Sequence, residues 1–199
     1  MNPQFWWFLS RASGIVSWAL LSATIVWGTL LTTRVLRQID RPAWLLDLHR
    51  WLAGLAVVGV AVHMASLVAD SFVEFGVKDL LVPMASTWKP GPVAWGIVAT
   101  YLLIVIQGTS LMMKKIPRTL WRYVHMSSYA MFGLVSVHSF MAGTDASVSL
   151  FQTFGTVLIT FVVLALAIRV LLAMRKEAPK RAVISASTPR SVAPDAPTQ

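Results

Sequence analysis

The chain reads as an all-α integral membrane protein, a bundle of about five transmembrane helices with the N-terminus outside and the C-terminus cytoplasmic. Three observations predict this. Of 199 residues, 56% are hydrophobic and only 13% charged, with a mean hydropathy of +0.67; a soluble domain carries about 25% charge. The apolar residues fall into charge-poor stretches long enough to cross a hydrocarbon core of about 30 Å. Lysine and arginine gather on alternate connections between those stretches.

The spans follow in order. The first, 12–33, lies between Arg11 and Arg34. It lacks a basic n-region and is too long for an h-region, so it is not read as a signal peptide. The second covers 44–69, its uncharged part running from Trp51 to Ala69. The third, 92–113, follows Lys89; the fourth, 121–143, follows the Arg118 and Arg122 cluster; the fifth, 147–170, closes at Arg169. The one sizeable outer connection, 71–92, contains Asp79-Leu80-Leu81-Val82-Pro83, which suits a short interfacial helix. Residues 1–175 form one helical membrane domain. Residues 176–199, rich in Ala, Pro, Ser and Thr, read as a disordered cytoplasmic tail. No internal repeat is read beyond two histidine-bearing helices.

Direction comes from charge. Fourteen Lys and Arg fall on the first loop (Arg34, Arg37, Arg41, Arg50), the third (Lys114, Lys115, Arg118, Arg122) and the C-terminal end (Arg169, Arg175, Lys176, Lys180, Arg181, Arg190). Only Arg11, Lys78 and Lys89 fall on the other side. The positive-inside rule places the larger group in the cytoplasm, and an odd number of spans then puts the termini on opposite sides. Tryptophans Trp6, Trp7, Trp44, Trp51, Trp88, Trp95 and Trp121 lie near span ends, as an interfacial belt requires. The setting is a cell membrane crossed several times, read as a bacterial plasma membrane.

Composition also excludes. The chain has no cysteine, so disulfides, cysteine-ligated zinc, iron–sulfur clusters and covalent haem attachment are ruled out. The net charge of +9 is explained by topology, and no nucleic-acid partner is expected. No Gly-rich dinucleotide fingerprint occurs, so the chain is expected to bind no flavin or NAD(P)H of its own.

The four histidines carry the chemistry. His49 and His63 lie in the second span, His125 and His138 in the fourth, with separations of fourteen and thirteen residues. At about 1.5 Å per residue, each pair spans roughly 20 Å. The two helices run parallel, so His49 and His125 share the cytoplasmic side and His63 and His138 the outer side. This is the arrangement of two bis-histidine haems stacked across a membrane, both non-covalent and so haem b. A lone histidine beside an arginine, as His49 and His125 are, is usually an interfacial polar residue. Four histidines at matched depths on two parallel helices are hard to assign that way, and intramembrane polar residues default to function. Zinc or copper ligands would converge on one point, and a proton relay would need carboxylates inside the spans. Helix phase leaves His49 and His63 about 40° apart, on one side with Ala53, Ala56 and Val60. It leaves His125 and His138 about 140° apart, so a kink, bulge or tilt is needed; Gly133 lies in that interval.

These residues resemble a family, the ferric reductase-like transmembrane domain. That domain is the haem-bearing membrane part of ferric-chelate reductases, NADPH oxidases and the membrane subunit of the bacterial periplasmic methionine sulfoxide reductase system. The matching stretches are Arg11-Ala12-Ser13-Gly14, then Leu48-His49-Arg50-Trp51-Leu52-Ala53-Gly54 to Val62-His63-Met64, then Trp121-Arg122-Tyr123-Val124-His125 to Val137-His138-Ser139. The resemblance implies that His49 and His125 ligate an inner haem iron, and His63 and His138 an outer one. Propionate partners would be Arg50, Arg118 or Arg122 for the inner haem, and Arg11 or Lys89 for the outer. Met131 and Phe132 would lie between the levels. The chain departs from the larger members in having one span fewer and no fused flavin domain.

The function expected is a di-haem b-type cytochrome. It would pass electrons from a separate cytoplasmic flavin reductase or from quinol to an extracytoplasmic acceptor: a flavoprotein partner, ferric iron or oxygen. The turn Ala142-Gly143-Thr144-Asp145-Ala146 is a candidate docking point. The rivals are a haem or metal transporter, a non-catalytic anchor subunit in membrane lipid, and a superoxide-producing oxidase.

Overall fold

Long apolar runs in a lipid setting must satisfy their own backbone, and helices do so within one segment. The computed structural model describes residues 4–33, 42–70 and 75–187, the side chains of 42 and 176–187 excepted, and the elements in it are all helices. They are α1 (Phe5–Thr33), α2 (Pro42–Ala69), α3 (Val77–Leu81), α4 (Pro90–Leu111), α5 (Arg118–Met126), α6 (Ser128–Ala142) and α7 (Ser149–Ser187). Four of them, α1, α2, α4 and α7, are each long and apolar enough to cross a membrane. The protein is a multi-pass membrane protein. Arg34, Arg37, Arg41 and Arg190, part of the charge asymmetry, lie outside the described residues.

Two antiparallel hairpins organise the bundle. The first is α1 against α2; the second is α4 against α5 and α6; α7 packs on α1. Hydroxyls inside α1 return to their own helix: Ser17 donates to the Ser13 carbonyl at 2.6 Å and Thr24 to that of Leu20 at 2.6 Å. Such back-bonding lets Ser and Thr cross the bilayer without an orphaned donor. The core gathers Trp18, Leu21, Ile25, Ala56, Leu103 and Phe132 from four helices. A smaller cluster of Phe75, Leu80, Val93 and Ile97 closes one end. A short helix is present in the 71–92 connection as α3, two residues earlier than the expected 79–83 stretch.

The segment expected as the span 121–143 is drawn as two helices meeting at Ser127. The amide of Ser127 is shared between the carbonyls of Tyr123 at 3.2 Å and Val124 at 3.1 Å, a tightened turn that changes the helix phase. It falls between His125 and His138, the interval in which the unequal histidine spacing calls for a kink, bulge or tilt. Gly133 plays no part in it: it sits inside α6 with open space around it. At the other end, α7 continues into the stretch expected to be a disordered tail, and 188–199 lie outside the described residues. The run Arg175-Lys176-Glu177-Ala178 is made of good helix formers, which extend a helix already nucleated in the bundle.

Candidate functional site: two levels of paired histidines

Each histidine is fixed by the helix opposite. His63 donates from Nδ1 to the Ser10 carbonyl at 2.7 Å, His49 to the Thr24 carbonyl at 3.1 Å, and His138 to the Pro92 carbonyl at 2.8 Å. A carbonyl oxygen only accepts, so the proton sits on Nδ1 in all three. The fourth contact leads to the same tautomer by one more step. The Ser110 hydroxyl donates to the Ile106 carbonyl at 2.7 Å, so its oxygen receives the Nδ1–H of His125 at 3.3 Å. All four Nε2 atoms are thereby left with a free lone pair. Fixing one ring nitrogen by a hydrogen bond is how proteins orient the other toward a metal.

Glycine makes these contacts possible. A Cβ built on Gly14 would lie 3.0 Å from the His63 ring, on Gly28 2.9 Å from His49, and on Gly96 2.7 Å from His138. In each case the carbonyl used belongs to the residue four before the glycine. A helical side chain leans back over the preceding turn, so any larger residue would cover that carbonyl; glycine leaves it open to the imidazole. Ser110 holds the corresponding place opposite His125 and relays the bond through its hydroxyl. Gly14 and Gly28 are fourteen residues apart, as are Gly96 and Ser110. The two supporting helices thus carry small residues at one repeat, facing the histidine repeats of α2 and α5–α6. Sequence reasoning missed this, although the spacing was visible.

The histidines meet in pairs across the hairpins. The rings of His49 and His125 have centroids 6.0 Å apart and are inclined at 64°. That separation leaves room for one metal atom bonded at about 2 Å to each ring. His63 and His138 line one apolar cavity of about 280 Å³, together with Gly14, Trp18, Leu103 and Met131. This is near the lower end of ligand-pocket volumes, about 300–1,000 Å³. Its polar rim is Asp70, buried at the end of α2, and an ion pair of Arg11 with Asp145. Among the described residues no three His, Asp or Glu side chains converge. Two neutral imidazoles facing across an apolar space, without a carboxylate between them, suit an iron porphyrin better than a bare divalent ion.

The expected propionate partners are placed unevenly. Arg11 reaches the cavity wall, but its Nε donates to Asp145 at 2.8 Å and its guanidinium covers the Trp7 ring at 4.0 Å. Arg50 is exposed and bonds Asp47 at 3.1 Å. Arg118 and Arg122 are exposed. Lys89 donates to the Met141 carbonyl at 2.9 Å, clasping the start of α4 to the end of α6. Met131 and Phe132 are both buried in the core. Two residues near His125 were not singled out beforehand. Trp121, expected in the interfacial belt, stacks on His125 with centroids 5.0 Å apart. Arg169, expected only as a span end, reaches inward to the Tyr129 hydroxyl at 3.3 Å.

Residues 13–137 match the family described as ferric reductase like transmembrane component. The chain belongs to that family. It is therefore a membrane electron-transfer component, of a kind that generally binds haem and works with redox partners. No curated protein and no solved structure gives a significant match.

Proposed function

We propose that this ferric reductase-like chain is a di-haem b-type cytochrome that passes electrons across the membrane. His49 and His125 hold the inner haem, and His63 and His138 the outer. The observation that supports this most is the shared tautomer: four imidazoles, each with Nδ1–H spent on the neighbouring helix, each with its Nε2 lone pair left free. When bound, haem supplies the one-electron exchange of its iron. The protein's own part is to fix both ligand rings, to keep water out with an apolar wall, and to set two levels roughly 20 Å apart along the bundle.

The charge asymmetry orients the molecule, with the His49/His125 level toward the cytoplasm. Electrons then enter from a separate flavin reductase or from quinol and leave to an acceptor outside: a flavoprotein, ferric iron or oxygen. The Ala142–Ala146 turn carries Asp145, held by Arg11 at the cavity rim, and is the docking point we assign to that acceptor.

The test is haem content. The detergent-purified chain, expressed with haem supplied, should give a reduced-minus-oxidised spectrum of low-spin b type and a pyridine haemochrome ratio near two per chain. His63→Ala or His138→Ala should remove one haem. A chain that takes up no haem overturns the reading in favour of an anchor or a transporter.

A further inference from the structure

Among the described residues, the indole Nε1–H of Trp121 is the buried side-chain donor without a hydrogen-bond partner. A tryptophan near a membrane surface ordinarily keeps this group on water or lipid headgroups. Here burial denies it both, and a buried donor left unmade carries its full desolvation penalty. The ring itself is well placed. One turn before His125 on α5, it stacks on the imidazole at an interplanar angle of 26°.

The surroundings favour an anion. Arg169 donates to the Tyr129 hydroxyl at 3.3 Å. That hydroxyl donates in turn to Thr29 Oγ1 at 2.7 Å, because the Thr29 proton is spent on the Ile25 carbonyl. The network thus anchors a half-buried guanidinium at Tyr129, four residues after His125, whereas Arg50 and Arg122 stay exposed. A missing acceptor on the ring stacked against His125, at a level where Tyr129 anchors a guanidinium, is a place for a carboxylate. A porphyrin is apolar over its faces and most of its edge; its propionates are its two anionic acceptors.

We propose that Trp121 is a positioning residue of the His49/His125 level: its ring sets the plane of His125, and its Nε1–H donates to a carboxylate of the bound haem. The proposal rests on the di-haem reading above. Phenylalanine would preserve the stack and remove only the donor.

The experiment measures haem loss to excess apomyoglobin from the full chain in detergent, reconstituted with haem or with its dimethyl ester, which lacks the anionic oxygens. The inner phase is the one that remains in His63→Ala. Trp121→Phe should keep two haems per chain and lose the inner one about tenfold faster, the scale of one hydrogen bond to a charged group. With the dimethyl ester, whose carbonyls accept only as neutral groups, the difference between wild type and Trp121→Phe should fall well below tenfold. Trp51→Phe, whose indole is 71% exposed, should match wild type throughout. An unchanged inner rate in Trp121→Phe overturns the proposal while leaving the di-haem reading intact. So does an equal acceleration with haem and ester, which would mean packing or a lipid contact. A wild-type chain that binds no haem overturns both.

Discussion

Three of the four histidines depend on what the opposite residue lacks, and His125 on the hydroxyl that Ser110 supplies. At Gly96 a methyl group would sit 2.7 Å from His138 Nδ1, and the nearest atoms belong to a ring that is itself tied to Pro92. The ring cannot retreat without giving up that bond. Gly96→Ala is therefore expected to lower haem content from two per chain to one, with the inner haem retained. Gly54→Ala, with nothing near its Cβ, should keep both, and the pyridine haemochrome assay distinguishes the cases. Ser110→Ala makes the complementary test: it leaves His125 Nδ1–H without its acceptor. Loss of such an orienting partner typically weakens a metal site by 10–100-fold, so faster loss of the inner haem is expected in a scavenging assay. At this scale the pairing of the histidines was legible, because histidine is rare in a span and its spacing stands out. The glycines have the same spacing, but glycine has many uses in a membrane helix and no chemistry of its own. Only the packing gives their positions meaning. The partners of Arg11 and Arg50 were hidden for another reason: they depend on Asp145 and Asp47, and long side chains choose among several neighbours.

At the scale of elements, α5 and α6 do together what one helix could not. Thirteen residues on a continuous helix would turn His138 about 140° away from His125, and the break at Ser127 is where the chain departs from one continuous helix. Inserting one alanine between Ser127 and Ser128 should therefore rotate α6 by about 100° relative to α5 and carry His138 out of its level. The expected result is one haem per chain, read from the same assay. The mismatch was legible in the sequence, but its location was not. Met126-Ser127-Ser128 contains neither proline nor glycine, the residues that usually announce a kink, while Gly133 offers a false signal. The α1–α7 contact was likewise invisible, since α7 before Arg169 is charge-free and apolar on all sides, with no preferred face. It centres on Gly155, where a Cβ would lie 2.5 Å from Trp18 and 2.6 Å from Phe140. Gly155→Leu should overpack this junction and cost about 1–3 kcal/mol, seen as a lower midpoint of thermal unfolding in detergent, with haem content unchanged below the transition.

At the scale of the whole molecule, the proposed di-haem arrangement is a relay with a direction. The α1–α2 and α4–α6 hairpins each contribute one histidine per level, so neither hairpin alone can complete a bis-histidine site. The levels are in series, and each variant should interrupt the path at a different point. The charge count predicts which end faces the cytoplasm, and a C-terminal fluorescent-protein fusion that fluoresces inside intact cells would agree with it. The stronger check is functional. In proteoliposomes with the donor confined to the cytoplasmic face, wild type should show reduction of both haems and transfer to an impermeant ferric chelate on the other face. His63→Ala should keep a reducible inner haem but lose transfer to the chelate, because the exit level is gone. His49→Ala should retain the outer haem yet leave it oxidised, since an electron would have to bridge most of the bilayer without the entry level. If the outer haem of His49→Ala is reduced as fast as in wild type, the two levels are not in series. The donor would then reach the outer level directly, and the direction read from the charge asymmetry would be reversed.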